Sequence, residues 1–312
     1  SNWEIMRFCQ AFMTEFYRYI GDDTDVPAGD IGVGGREIGY LYGQYKRITG
    51  IAERGVLSGK NLSYGGSLLR PEATGYGAVY YLRDMLAHDG RELRNKTVVL
   101  SGYGNVSWGV IRKLAELGAV PLTVSGSAGY VYDRNGITDP EKINYIYDMR
   151  VNGVGSLSDY AEKFGAEFHA GQKPWAVKAD IVMPCATQNE VDIDDAKLIV
   201  ANGTRYYAEC SNMPTTNEAV DYLLANGVTV GPAKAVNAGG VAVSGLEMAQ
   251  NSMRIAWSED KVDSRLYDIM HGIYTASVAA AEEHGMGYNL VAGANIAGFM
   301  RVAESMCDEG IY

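Results

Sequence analysis

The sequence predicts an α/β protein built on a mostly parallel, doubly wound sheet. Three observations predict it. Residues 96–135 run through an apolar stretch (Thr97-Val98-Val99-Leu100), a glycine turn, a helical pattern and a second apolar stretch, Leu122-Thr123-Val124. From Asp180 to Val230, strand-like and helix-like segments alternate. Both ends of the chain carry apolar residues at helical spacing, so the sheet reads as an insertion between helices.

The glycine turn carries chemistry. Gly102, Gly104 and Ser107 are spaced G-x-G-x-x-S after the first strand. The helical pattern Trp108, Val110, Ile111, Leu114 and Leu117 follows and stops at Gly118. Strand, glycine turn, helix and strand together form the frame in which this motif binds a dinucleotide. The glycines let the backbone approach a pyrophosphate, and the helix N-terminus offers it free N–H groups. Ser107 is small enough to keep helix and strand close. The sheet is therefore expected to be Rossmann-like. The second strand ends Val124-Ser125-Gly126-Ser127-Ala128, with hydroxyls and no carboxylate. An NAD enzyme usually has Asp or Glu there, so Ser125 and Ser127 point to a 2′-phosphate and to NADP, with NAD as the alternative.

The remaining elements follow in order. Residues 3–20 predict a helix, with Asn2 to cap it and Gly21 to stop it. Residues 21–35 break regular structure with Pro27, five glycines, and Asp22, Asp23, Asp25 and Asp30. Within Ala28–Gly35, Asp30 is a carboxylate among residues too small to shield it, a setting that suits a group held against a ligand. Arg36–Thr49 predicts a second helix, Gly55–Lys60 a loop, and Ala73 to about His88 a third helix. Gly65-Gly66-Ser67 and Arg70-Pro71 mark a domain junction. Later strands are expected at Asp180–Ala186, Arg205–Cys210 and Val228–Val230, with helices at Asp192–Asn202 and Thr216–Asn226. Their carboxyl ends carry Ala186-Thr187-Gln188-Asn189, Ser211-Asn212-Met213-Pro214 and Lys234–Gly240, amides and hydroxyls that suit an amide or ribose. Val241–Trp257, Lys261–His284 and Asn295 to about Asp308 read as helices, the last expected to pack on the first. The expected division is a substrate-domain part at 1–64, a dinucleotide-binding domain at 65–287 and a returning helix at 288–312.

Composition excludes several classes. A net charge of −11 argues against binding nucleic acid. Cys9, Cys185, Cys210 and Cys307 have no C-x-x-C spacing and sit in apolar contexts, as buried free thiols in a reducing compartment would. Four scattered histidines give no support for a metal. With no signal peptide and no apolar stretch of membrane-spanning length, a cytoplasmic protein is expected.

Six stretches carry a resemblance: DVPAGDIGVGGREIGYLYGQYKR, GGSLLRPEATGYG, LSGYGNVSWG, PCATQNE, ECSNMPTT and PAKAVNAGGVAVSGLEMAQN. In this order they resemble the hexameric glutamate dehydrogenases of bacteria and lower eukaryotes. The resemblance implies reversible conversion of L-glutamate, water and NAD(P)⁺ to 2-oxoglutarate, ammonium and NAD(P)H by a homo-oligomer. It implies Asp30 as the catalytic proton shuttle and Ser244 as partner of the substrate side-chain carboxylate. Ala28 and Val241 would line the same pocket, as would Ser58, which stands where many members carry threonine. Thr74, Asn105, Val106, Ala186, Thr187, Asn212 and Asn237 match cofactor or nicotinamide contacts. Cys210-Ser211 replaces the more usual Gly-Ala before Asn212.

The family also has an earlier segment, upstream of residue 1, with further strands of the substrate domain and the lysines that bind substrate and activate water. The chain is therefore expected to be the C-terminal part of such an enzyme, truncated or excised and inactive alone. Two alternatives stand beside this reading. One is a non-catalytic dinucleotide-binding fragment. The other is a related amino-acid dehydrogenase for branched-chain or aromatic substrates, against which the Ser244 hydroxyl argues, since an apolar substrate would leave it unpaired.

Overall fold

The computed structural model describes residues 1–30 and 32–310. Ile31 of the Asp30 loop, Ile311 and Tyr312 lie outside the described residues. The chain forms two compact units, one of Ser1–Arg70 with Val241–Leu266, the other of Pro71–Gly240 with the chain from Tyr267 onward.

The first unit opens with α1 (Asn2–Phe16), where Ser1 rather than Asn2 is the cap and Glu4 completes a capping box. A 3₁₀ turn, Tyr17–Tyr19, follows. Helix α2 (Gly35–Thr49) ends at Gly50 in the left-handed conformation. Met13, Ile20, Tyr42, Tyr45, Val56 and Leu57 form a buried cluster between these helices and the loop beyond them.

The second unit contains α3 (Ala73–His88), β1 (Thr97–Leu100), α4 (Asn105–Glu116), β2 (Val120–Pro121), β3 (Thr123–Gly126) and β4 (Gly129–Tyr132). Then come α5 (Pro140–Asn152), α6 (Leu157–Phe164), β5 (Glu167–Ala170), β6 (Ile181–Met183), α7 (Ile193–Ala201) and β7 (Tyr206–Ala208). The rest of its sheet layer is α8 (Asn217–Ala225), β8 (Thr229–Gly231) and the short α9 (Ala233–Val236). Three longer helices complete the chain: α10 (Gly239–Met253), α11 (Glu259–Glu283) and α12 (Leu290–Glu309). Among the described residues the main sheet has the order β2-β1-β6-β7-β8, every pair parallel. Its order switches direction at β1 and β6, so ligands are expected at the carboxyl ends of those two strands. Val99, Val182, Tyr207 and Val230, one from each of four strands, are buried together with Trp175, Ile199 and Leu223.

The second apolar stretch behaves differently from the expectation. The strand that pairs with β1 is Val120–Pro121, and its last ladder bond to β1 runs from Leu122 N–H to Val98 C=O at 2.8 Å. Thr123–Gly126 instead enters a separate antiparallel sheet, β3-β4-β5. The Thr123 hydroxyl spans the gap: it accepts from Leu100 N–H at 2.9 Å and donates to Leu100 C=O at 2.7 Å.

Other differences are local. The α12 helix starts at Leu290, capped by the Asn289 side chain, not at Asn295. It falls in the second unit, while residues 241–266 fall in the first, so the compact units differ at both places from the division 1–64, 65–287, 288–312. Cys9, Cys185 and Cys210 are buried free thiols, but Cys307 is exposed on α12, which corrects the expectation of four buried ones. Among the described residues no helix is long and apolar enough to cross a membrane, and no cluster of three His, Cys, Asp or Glu could hold a metal ion.

Candidate functional site

Two groups of candidate residues take shape, each within one unit. In the second unit the glycine turn lies between β1 and α4. Gly102 has φ +77°, and a Cβ there would meet the Cys185 carbonyl oxygen at 3.2 Å. A side chain would thus be strained twice, by the backbone and by β6. Gly104 is the N-cap of α4; no side chain caps the helix, and a Cβ on it would meet nothing within 4 Å. The first N–H groups of α4 are therefore left to an external acceptor. Asn105 is exposed and Val106 half-buried on that first turn. Ser107 is buried and donates to Gly104 C=O at 3.2 Å, which ties the turn down where a third glycine would be silent.

Around this turn the predicted cofactor residues separate into two kinds. Ser125 is buried, and its hydroxyl oxygen accepts from Gly102 N–H at 2.9 Å, so it braces the turn. Ser127 is exposed and lines a cavity of about 170 Å³ with Tyr103, Gly155, Ser156, Leu157 and Ser158. Ser156 caps α6, bonding Asp159 N–H at 3.2 Å and lying 2.8 Å from the Ser158 hydroxyl. Ala186 and Thr187 are exposed at the end of β6, and both their N–H groups bond Glu190 Oε1, at 2.9 and 3.3 Å. Burial pushes the Glu190 carboxyl above its usual range, opposed by Ser101 and those two N–H groups. At the next strand ends the Asn237 amide donates to Asn212 Oδ1 at 2.7 Å. Thr74, half-buried, sits in the first turn of α3.

In the first unit, Ala28 and Ser58 form a parallel bridge, with Ser58 N–H bonded to Pro27 C=O at 2.9 Å. Ala28 is exposed, while the Ser58 hydroxyl is enclosed without a hydrogen-bond partner among the described residues. Asp30 is exposed, and its carbonyl accepts from Val33 N–H at 2.8 Å, closing a tight turn that presents the carboxylate. On α10, Val241 is 72% exposed and Ser244 is buried. Arg70 Nε donates to Ser244 Oγ at 2.9 Å. Burial pushes the Arg70 guanidinium down, and Glu247 and then Asp30 oppose it. One turn beyond Ser244, Glu247 is fully buried and pairs with Lys60 at 2.6 Å. Lys60 also donates to Leu57 C=O, and the N–H of Gly59 reaches Glu247 at 3.1 Å. This pair locks the Ser58 loop to α10. Lys234, in the second unit, donates to Asn295.

Sequence reasoning missed Arg70, Glu190 and Ser156. Arg70 was legible only as half of Arg70-Pro71, a junction. Glu190 was quoted at the end of PCATQNE, but its recruitment to the 186–187 turn is a tertiary fact. Ser156 follows two glycines and precedes an amphipathic run, an N-cap signal that could have found α6.

Residues 65–310 match the profile of the Glutamate/Leucine/Phenylalanine/Valine dehydrogenase family, and residues 1–47 that of the Glu/Leu/Phe/Val dehydrogenase dimerisation domain. Over 312 residues the chain is 59% identical to the NAD-specific glutamate dehydrogenase of Clostridium symbiosum, covering 100% of this chain and 69% of that protein. Over 313 residues it is 50% identical to the NADP-specific glutamate dehydrogenase of Haemophilus influenzae, again 100% and 69%. A solved structure of a glutamate dehydrogenase, 59% identical, superposes with a TM-score of 0.97 over 100% of this chain and 70% of that one.

Proposed function

The chain belongs to the Glu/Leu/Phe/Val dehydrogenase family, and on that premise we propose that it serves the reversible oxidative deamination of L-glutamate to 2-oxoglutarate and ammonium. The residues present fit a nicotinamide dinucleotide: an uncapped α4 N-terminus with open space above Gly104, beside a Gly102 turn that admits no side chain. A dinucleotide held there supplies the hydride acceptor. The α4 N–H groups receive its pyrophosphate, and the paired amides of Asn212 and Asn237, with Thr74 and Thr187, orient an amide-bearing ring.

Within the first unit, Asp30 takes and returns the protons that pass between the substrate amino group, water and the tetrahedral adduct. Its exposure leaves it in reach of solvent for that exchange. Val241 and Ala28 offer apolar surface to the substrate methylenes. Ser244, with its oxygen accepting from Arg70, has its own proton left to donate to a substrate carboxylate.

The Arg70–Ser244 contact carries the choice of substrate. A guanidinium and a hydroxyl set together favour an acidic side chain, and an apolar one would leave their remaining donors unpaired at a cost of about 1–3 kcal/mol. The test uses an N-terminally extended form that turns over glutamate. Arg70→Met and Ser244→Ala should each lower kcat/KM for glutamate about 10- to 100-fold. Their kcat/KM values for leucine and phenylalanine should not fall. Equal losses on all three substrates would remove this contact from substrate choice.

For the cofactor, we favour NADP. Among the described residues lining the Ser127 cavity there is no carboxylate to repel a 2′-phosphate, and Ser127, Ser156 and Ser158 bring hydroxyls to it. Ser125 drops out of that set because Gly102 engages it. We further infer self-association through residues 1–47, where α1 exposes Trp3, Phe8 and Phe12 beside a cavity of about 570 Å³.

A further inference from the structure

Glu190 holds a turn whose geometry bears on the reactive half of a dinucleotide. Its Oε1 accepts from Ala186 N–H at 2.9 Å and from Thr187 N–H at 3.3 Å. Ser101, buried just before Gly102, accepts from Cys185 N–H at 2.8 Å and steadies the Glu190 carboxyl with its hydroxyl. Glu190 thereby joins the ends of β1 and β6, where the strand order reverses. Among the described residues no peptide bond is cis, so each N–H points away from the C=O of its own peptide plane. Drawing Thr187 N–H onto Glu190 therefore turns the Ala186 C=O away from it. Ala186 is exposed, which leaves that oxygen as an acceptor at the strand end. The same rule turns the Cys185 C=O away, and its oxygen is the one that a Cβ on Gly102 would meet at 3.2 Å.

Backbone strain marks the same place. Asn189 has φ +52° and Met213 φ +45°, both left-handed without being glycine. Asparagine tolerates that region, whereas methionine rarely enters it. Met213 is 61% exposed, so core packing does not hold it there. Hydrogen bonds do: Asn189 N–H donates to Met213 C=O, and Val191 N–H to Pro214 C=O, both at 2.9 Å. These bonds clip the turn after β6 to the turn after β7, where Asn212 receives the Asn237 amide. Strain of this kind, held by its surroundings rather than by packing, clusters at ligand clamps.

We propose that Glu190 is a positioning residue for the nicotinamide half of the cofactor. It holds the 186–187 turn so that the Ala186 C=O and the Thr187 hydroxyl, with Asn212 beyond the clip, meet the carboxamide and the ribose next to it. The proposal rests on the dinucleotide reading above and adds to it a residue that touches no ligand itself.

The test is calorimetric titration of the 312-residue chain with NADP⁺ and NAD⁺, each beside its counterpart without nicotinamide, 2′-phospho-ADP-ribose or ADP-ribose. Glu190→Ala, and Glu190→Asp with a carboxylate one methylene short, should each weaken dinucleotide binding about tenfold or more. Binding of the nicotinamide-free counterparts should not change. Glu190→Gln should recover most of the loss, because one amide oxygen can accept both N–H groups. Melting curves establish that each variant folds, and should Glu190→Ala fail to fold, Glu190→Asp decides. Equal weakening of both kinds of ligand would overturn the proposal, since a general loosening of the strand ends does not single out nicotinamide. So would dinucleotide binding unchanged in both variants, or Glu190→Gln as weak as Glu190→Ala. A parent chain that bound neither NADP⁺ nor NAD⁺ would instead overturn the dinucleotide reading, and the proposal with it.

Discussion

Asp30 sits in a turn closed by its own carbonyl and is exposed. Asp30→Ser in the N-terminally extended, active form should lower turnover by about 10²–10⁴-fold, the span of general acid–base catalysis. Dinucleotide affinity and melting temperature should stay near those of the parent, and near-normal turnover would exclude Asp30 from proton transfer. Glu190 is the opposite case, a carboxylate drawn into the protein to hold the 186–187 turn. Burial holds its pKa above the unfolded value, so the folded chain retains a proton that the unfolded chain has released. Its contribution to stability is complete below the unfolded glutamate pKa and is lost as pH rises through the folded one. Glu190→Gln should therefore flatten the fall in melting temperature over that window. An unchanged slope would show that Glu190 titrates as an ordinary surface carboxylate.

Among elements, the contact of α3 with α4 leaves least room. A Cβ on Gly75 would lie 2.4 Å from Val110 N and 2.5 Å from Val106 O, both backbone atoms of α4. Neither can swing away as a side-chain tip could. Gly75→Ala should cost about 1–3 kcal/mol of stability, as overpacking does, and should weaken dinucleotide binding because the α4 N-terminus must move. Denaturant unfolding and a dinucleotide titration check both; a variant as stable as the parent would mean that the helices part without strain. Elements of this kind were legible where a pattern is local. The turn at Gly102 and Gly104, the helices α3, α4, α7 and α8, and the strands β1, β6, β7 and β8 all announce themselves by periodicity and stop signals. The β3-β4-β5 sheet does not. Its pairing joins Gly129–Tyr132 to Glu167–Ala170 across the whole of α5 and α6, and no short-range spacing encodes that partnership. Residues 136–179 did hold readable signals, Asp139-Pro140 and Ser156 at helix starts and Gly153 and Gly165 at helix ends. The Lys60–Glu247 and Arg70–Ser244 pairs were beyond sequence reading, since their partners lie 187 and 174 residues apart and no local spacing joins them.

For the molecule as a whole, the dinucleotide elements lie in one unit and the catalytic candidates in the other. In the first unit Lys60 is committed to Glu247 and Arg70 can answer one carboxylate beside Ser244, while a dianionic substrate needs fixed cations for both. The 312 residues assayed alone are therefore expected to bind a dinucleotide, NADP more tightly than NAD, without turning over glutamate. Calorimetry with both dinucleotides and a turnover assay at saturating glutamate check this, beside the N-terminally extended form. Tighter NAD binding would reverse the cofactor assignment. Turnover by the 312-residue chain, with its mass verified, would show that the groups of these two units suffice.

The first unit is assembled from two stretches of chain, which sets an order on biosynthesis. Lys60 leaves the ribosome 187 residues ahead of Glu247. At cellular elongation rates that interval is roughly ten to forty seconds. Throughout it the ammonium group has no carboxylate to pair with, and the Ser58 loop has no α10 to rest on. Meanwhile Pro71–Gly240, including every strand of the main sheet, has already emerged. The cluster of Met13, Tyr42 and Leu57 is drawn from residues 13–57 and can gather early, but the second unit also needs the chain from Tyr267 onward. A chain stalled short of Glu247 would hold every strand of the main sheet with both units still incomplete.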